Sequence, residues 1–352
     1  MSSKVLVSGA TGYVALWIIG ELLSKNYTII GTVRSEDKKN QLLQKFNAKY
    51  GDKFNSSNLI LEIVKDIGKS NAFDEIFIKY KDIKYVLHTA SPFAYGLGDD
   101  LNKEYLEPAR DGTLNVLKAI VNHAPQVEKV VITSSQAAVL NLDKLNDSKF
   151  IHTEKTWNPL EWKDVNNEFL AYFVSKKVAE RAAWDFIRDN QVNFKLITIL
   201  PPYIFGPQFF DSDASGKLGT SAQIIKDLLK SDPNDYHLFD DIKYASTDVR
   251  DIAKFHIFAL EISKLSNERI APVAERFNQQ LILNIINDNL PKFNGYIAKG
   301  DYQHEKDIES AGFDVSKSVE LVGGYKFISL KQQVLDSVNQ IVEFDDEFAK
   351  FR

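Results

Sequence analysis

A chain of 352 residues with 44% hydrophobic and 26% charged residues can bury a sizeable core and needs no covalent staple. Its formal net charge is −5 and its lysines and arginines are scattered, which argues against a nucleic-acid partner. The absence of cysteine excludes disulfides, thiolate catalysis and cysteine-based zinc sites, and it fits a reducing compartment.

The predicted elements alternate from the start. Strands are expected over 4–8, 27–33, 59–64 and 84–88, with helices over 12–25, 41–50 and 72–79 between them. The first helix places Val14, Trp17, Ile18, Leu22 and Leu23 on a broad apolar face. A helix over 110–122 follows, with Leu114, Val116, Leu117 and Ile120 as its apolar positions. Residues 129–133 and 194–200 read as strands buried on both faces, separated by a long helix over 172–190. Repeated βα units of this kind predict an α/β fold built on a doubly wound parallel sheet.

Beyond Pro207 the regularity weakens. Residues 209–220 are rich in Asp, Gly and Ser and read as a loop or flap. Helices are expected over 221–231, 249–264, 280–289 and 330–343. Residues 1–207, joined by part of 239–275, are expected to form a dinucleotide-binding unit, and 208–352 most of a smaller α/β substrate lobe. No apolar run approaches the roughly 20 residues that span a bilayer. No charged region precedes the apolar start Val5-Leu6-Val7, so the expected location is the cytoplasm, away from membranes.

The first strand ends in Ser8-Gly9-Ala10-Thr11-Gly12-Tyr13-Val14-Ala15. Gly9 permits a tight turn, Gly12 a close approach of backbone to a pyrophosphate, and Ala15 close packing of helix on strand. The helix N-terminus then faces the anion. The second strand ends in Arg34 where NAD binders usually place an acid, and its planar fork suits the 2′-phosphate of NADPH. Lys38 adds a second cation if a helical turn follows, although Glu36 and Asp37 lie beside it. Asp66, after the third strand, suits either an adenine amino group or a cap.

Tyr172 and Lys176 stand at i and i+4, on one helical face. An ammonium beside a phenol eases its ionisation and brings it toward general-acid service. Ser134 and Ser135 close the fifth strand, and Ser135 is the preferred donor to a substrate carbonyl. The six histidines show no metal-ligand spacing, and no metal is expected; His88 reads as a core residue. Asp248, Arg250 and Asp251 read as a structural ion-pair network.

These motifs, with Val86-Leu87-His88-Thr89-Ala90-Ser91-Pro92-Phe93, Phe205-Gly206-Pro207-Gln208 and Thr247-Asp248-Val249-Arg250-Asp251-Ile252-Ala253, carry a resemblance over nearly the whole chain. The sequence resembles the extended short-chain dehydrogenases/reductases. Within them it is similar to fungal NADPH-dependent methylglyoxal and 3-methylbutanal (carbonyl) reductases and to plant dihydroflavonol reductases. The resemblance implies a Rossmann fold, a site between two lobes, and catalytic roles for Ser135, Tyr172 and Lys176. It implies NADP contacts from Gly9 through Val14, Arg34, Lys38, Asp66 and Ile67, the backbone of Ile204, and Ser221 at the phosphates.

Two positions depart from the pattern: Leu200 stands where relatives carry a polar residue, and Gln136 replaces an aromatic or small one. The expected pocket walls are Phe93, Gln136, Leu140, Phe169 and Tyr203, a largely apolar lining suited to small or hydrophobic aldehydes and ketones. A nucleotide-sugar epimerase or dehydratase, or a non-enzymatic NADPH sensor, are the competing readings. Ala179, Ala182, Ala183 and Phe186 leave a homodimer open beside a monomer.

Overall fold

The computed structural model describes residues 3–91, 98, 100–302 and 310–352. The strands are β1 (Lys4–Ser8), β2 (Thr28–Val33), β3 (Leu59–Ile63), β4 (Ile83–His88), β5 (Lys129–Thr133), β6 (Ile151–His152), β7 (Lys195–Ile199), β8 (Tyr203–Phe205), β9 (Lys243–Asp248), β10 (Arg269–Ile270), β11 (Glu275–Asn278) and β12 (Gly312–Phe313). The helices are α1 (Tyr13–Ser24), α2 (Glu36–Tyr50), α3 (Asp74–Lys79), α4 (Glu107–His123), α5 (Glu168–Asp189), α6 (Thr220–Leu228), α7 (Val249–Glu261), α8 (Gln279–Asn289), α9 (Ser316–Leu321) and α10 (Leu330–Phe344).

Seven strands form one parallel sheet in the order β10-β7-β5-β4-β1-β2-β3. Strand side chains alternate between faces, and β1 shows the consequence. Val5 and Val7 join the core beneath α1, α2 and α7, whereas Leu6 joins the opposite core beneath α3, α4 and α5. All three are fully buried, so the strand reads as one apolar run. The strand order reverses between β1 and β4, which opens a crevice at their carboxyl ends.

A third core gathers Ile225 of α6, Phe277 of β11, Ile282 of α8 and Val338 of α10 beside Leu200 and Phe205. It lies under a three-stranded sheet in the order β11-β9-β8. The chain therefore passes between sheets more than once. β8, before Pro207, already pairs with β9, and β10 returns to the edge of the large sheet. A third pairing joins β6 to β12.

Several elements differ from the predicted ones. α2 begins at Glu36 instead of residue 41, because Ser35 caps it by accepting from the Lys38 N–H at 3.3 Å. α5 begins at Glu168, where Asn167 caps it. A π-helical turn, Asn102–Leu106, leads into α4. The segment 209–220 is irregular, as predicted, with one short turn at Asp211–Asp213. It is nonetheless anchored: Phe209 packs on Trp17 and Phe210 on Phe46, at ring-centre separations of 5.2 and 5.1 Å. Among the described residues no helix is long and apolar enough to cross a membrane.

Candidate active site

The glycine turn leaves β1 with Gly9 at φ 69°, a left-handed conformation that costs glycine little. A Cβ there would also lie 3.0 Å from the Ala90 Cα. The turn is pinned to β2 by Gly9 N–H donating to Thr32 Oγ1 (3.0 Å) and Ala10 N–H to Thr32 O (2.8 Å). Gly12 is the N-cap of α1, and no side chain caps the helix, so the first-turn N–H groups stay available to an anion. Thr11 is exposed and Val14 half-buried. The Tyr13 hydroxyl donates to Gly206 O at 2.7 Å, tying this turn to the end of β8. Burial and the nearby Asp248 carboxylate raise the Tyr13 phenol well above its ordinary range.

Arg34 is exposed just past β2 and makes no hydrogen bond or ion pair among the described residues. Lys38 follows one helical turn later on α2. Glu36 is engaged by Lys39 at 3.4 Å, which draws that carboxylate away from the pair. The Asp66 carboxylate accepts from the Gly68 N–H at 2.9 Å and so shapes its own turn. The Asn115 amide of α4 donates to Ile67 O (2.9 Å) and Lys69 O (2.8 Å), holding that turn against the sheet. Nothing in the local sequence around Asn115 signals this role. A cavity of about 360 Å³ brings Thr11, Tyr13 and Lys38 together with Lys45, Lys217 and Gly219.

At the end of β5 the two serines part company. Ser134 Oγ donates inward to Glu180 at 2.7 Å. Ser135 Oγ accepts from the Ala137 N–H at 3.1 Å, and the Tyr172 hydroxyl lies 3.4 Å from it. Lys176 Nζ stands 5.6 Å from the centre of the Tyr172 ring and donates to Ser91 Oγ at 2.7 Å. Removal from water lowers the Lys176 ammonium to about 8. His88 is buried, its Nδ1 2.9 Å from Ser8 Oγ; burial, then the Lys176 charge, lower it to about 4, so the ring is neutral near pH 7.

A cavity of about 150 Å³ opens beside these groups, lined by Ser135, Gln136, Leu140, Phe169, Tyr172 and Tyr203. Four of the five expected wall residues thus converge; Phe93 lies outside the described residues. Ser221, at the start of α6, lines this same cavity with Thr220 and Tyr244. The wall is more polar than the sequence suggested. Gln136 is 2% exposed, and neither its amide nitrogen nor its amide oxygen has a hydrogen-bond partner among the described residues. The Tyr244 hydroxyl is likewise buried and has no hydrogen-bond partner among the described residues, and burial raises its phenol well above the usual range. Tyr244 comes from β9, a strand with no clear sequence pattern.

Ile204 lies in β8, the edge strand of its sheet, with Thr247 as its partner. Behind it, Asp248 accepts from Arg250 Nε at 2.8 Å and Arg250 reaches Asp336 at 2.7 Å, while Asp251 accepts from the Tyr325 hydroxyl at 2.7 Å. This is the structural network expected of those residues. Among the described residues no group of three or more His, Asp or Glu side chains could hold a metal ion.

The family model described as NAD dependent epimerase/dehydratase family matches residues 5–271. The Gre2 protein of Candida albicans, solved in complex with NADPH, is similar at 45% identity and a TM-score of 0.91, covering 97% of this chain and 99% of that one. An NADPH-dependent methylglyoxal reductase of Saccharomyces cerevisiae is 37% identical over 349 residues, 97% of this chain and 99% of the relative. A ketoreductase of Aspergillus niger is 34% identical over 343 residues, 97% of this chain and 98% of the relative.

Proposed function

This chain belongs to the NAD dependent epimerase/dehydratase family, and we propose that it is an NADPH-dependent carbonyl reductase. It converts small or hydrophobic aldehydes and ketones to alcohols. The observation that carries the reading is the convergence of three groups: the Tyr172 hydroxyl 3.4 Å from Ser135 Oγ, with Lys176 Nζ 5.6 Å from the Tyr172 ring centre. The names of the fungal relatives support the same chemistry.

The residues present fit the cofactor. The uncapped first turn of α1, reached through Gly9, Ala10, Thr11, Gly12, Tyr13 and Val14, suits a pyrophosphate. Arg34 and Lys38, without a carboxylate partner among the described residues, suit the 2′-phosphate. Asp66 and Ile67 would border the adenine, the backbone of Ile204 the carboxamide side of the nicotinamide, and Ser221 the phosphates. When bound, NADPH supplies the hydride for the carbonyl carbon.

The chain supplies the rest. Ser135 Oγ donates to the carbonyl oxygen and fixes its direction. Tyr172 delivers its proton to that oxygen as negative charge develops there. The Lys176 ammonium, held in place by Ser91, stabilises the phenolate left behind. With its ionisation near 8, Lys176 is charged at neutral pH and discharges on the alkaline side.

Leu140, Phe169 and Tyr203 give the cavity its apolar body. Gln136 and Tyr244 add polar groups that lack partners among the described residues, and a buried polar group gains when a ligand pairs it. The preferred substrates therefore carry a second oxygen function beside the reacting carbonyl. The dinucleotide-binding unit is assigned to residues 1–207 with α7 and β10, and most of the remainder to the substrate lobe. The enzyme acts in the cytoplasm as a monomer or homodimer, without nucleic-acid or membrane partners; the net charge of −5 supports that part of the reading.

The test is NADPH consumption by the purified protein over methylglyoxal, 3-methylbutanal, a longer diketone and an aryl ketone, with NADH in parallel. Saturable turnover to the alcohol with NADPH is expected, with NADH far slower. Saturable NADPH binding without turnover on any member would overturn the assignment.

A further inference from the structure

Tyr172 and Lys176 both ride on α5, whereas Ser135 sits at the end of β5. The rotation and axial position of α5 on the sheet therefore set the distance between the reacting groups. One buried carboxylate ties α5 to the sheet. Glu180 lies one turn beyond Lys176 and is fully buried. It accepts from Ser134 Oγ (2.7 Å), Thr198 Oγ1 (2.8 Å), Trp184 Nε1 (3.2 Å) and Arg269 Nε (2.7 Å) and Nη2 (3.3 Å).

Trp184 is on α5 itself, and the other three donor residues lie in or directly after three different strands. Ser134 directly follows β5, Thr198 lies in β7 and Arg269 in β10. Arg269 is held in turn. It donates to Glu154 O and Thr156 O, and its guanidinium lies 3.6 Å from the centre of the Trp157 ring, as does that of Arg181. A buried carboxylate is tolerated only when paired and fully hydrogen-bonded, and this one is. It does not line the substrate cavity, so it is not placed to touch substrate.

We propose that Glu180 is a positioning residue. Through Ser134 it locks the register of α5 against the end of β5, and so keeps Tyr172 within reach of Ser135. A slip of one helical residue moves α5 by about 1.5 Å, enough to break a contact of this kind. The inference rests on reading Ser135, Tyr172 and Lys176 as the reacting groups. Glu180 serves both as hub and as the sole charge partner of Arg269 among the described residues. Its own replacement strands a buried cation, and the informative variants lie one bond away.

Ser134→Ala and Thr198→Val each remove one donor to the same carboxylate and leave the Arg269 pair intact. Only the first cuts the tie to the strand end that carries Ser135. Both variants should lose a similar few degrees in melting temperature. Ser134→Ala should lower kcat about tenfold or more at unchanged KM for NADPH, since misplacement on the 1 Å scale costs rate steeply. Ser134→Thr, which restores the hydroxyl, should recover it. Thr198→Val should keep kcat within about twofold of the parent, because its bond does not bear on that distance. Equal kcat in Ser134→Ala and Thr198→Val overturns the positioning role, as does a loss confined to the NADPH KM. Tyr172→Phe is run beside them. If it keeps full turnover, the reading of the site itself falls; if it is silent while the other two variants match, only the role of Glu180 falls.

Discussion

Lys176→Met separates what the fold prefers from what the chemistry needs. Burial brings the Lys176 ammonium from 10.5 to about 8. At ~1.36 kcal/mol per pK unit, the charged form costs the folded state about 3 kcal/mol. One hydrogen bond, to Ser91 Oγ at 2.7 Å, returns about 1 kcal/mol. A methionine of similar reach avoids the charge and keeps the packing, so the free protein should gain about 2 kcal/mol at pH 7. The folded value lies below the unfolded one, so below pH 8 the lysine is charged in both states and the penalty is complete. Between about 8 and 10.5 the unfolded chain holds a proton that the folded chain has shed, and the parent gains stability as pH rises. The advantage of the variant should therefore shrink through that window, while its turnover is lost throughout. Urea denaturation of the cofactor-free proteins at pH 7 and at high pH measures both effects. A variant less stable than its parent at pH 7, or a gap that does not narrow with pH, would show that burial does not disfavour the Lys176 charge.

Two further perturbations address the cofactor and the substrate. Arg34→Ala removes a charge-assisted contact worth about 1.5–3 kcal/mol, so the KM for NADPH should rise about 10- to 100-fold while NADH kinetics stay level; an unchanged KM would remove Arg34 from the cofactor site. Gln136→Met deletes two buried polar atoms that have no partner among the described residues. It should stabilise the free protein by about 1–2 kcal/mol and lower the preference for a diketone over an alkyl aldehyde about tenfold, read as the ratio of their kcat/KM values. A stabilised variant with unchanged preference would place the second oxygen away from Gln136.

Much of the large sheet was legible because parallel strands covered on both faces are nearly continuous apolar runs. β1 and β5 coincide with the segments read from sequence. The start of α2 was not, since its first turn, Glu36-Asp37-Lys38-Lys39-Asn40, is polar all round and only the Ser35 cap marks it. β8 to β12 escaped for a different reason. They span two to six residues, and β9 buries Ser246, Thr247 and Asp248, so no apolar alternation announces it. Tyr172 and Lys176 stood out because their spacing fits a long helix that sequence could place, and Ser135 because it ends a legible strand. Tyr244 and the Glu180–Arg269 pair did not: their meaning arises only when segments far apart in the chain meet, 89 residues apart for that pair. Gln136 was legible as a departure from pattern, but its lack of partners among the described residues was not.

Proton transfer by Tyr172 is tested by Tyr172→Phe, with NADPH affinity and single-turnover reduction of methylglyoxal recorded on one preparation. NADPH should bind within about twofold of the parent, and the reduction rate should fall about 10²- to 10⁴-fold, the usual worth of a positioned acid. A variant that binds NADPH and reduces the substrate at the parent rate would contradict it.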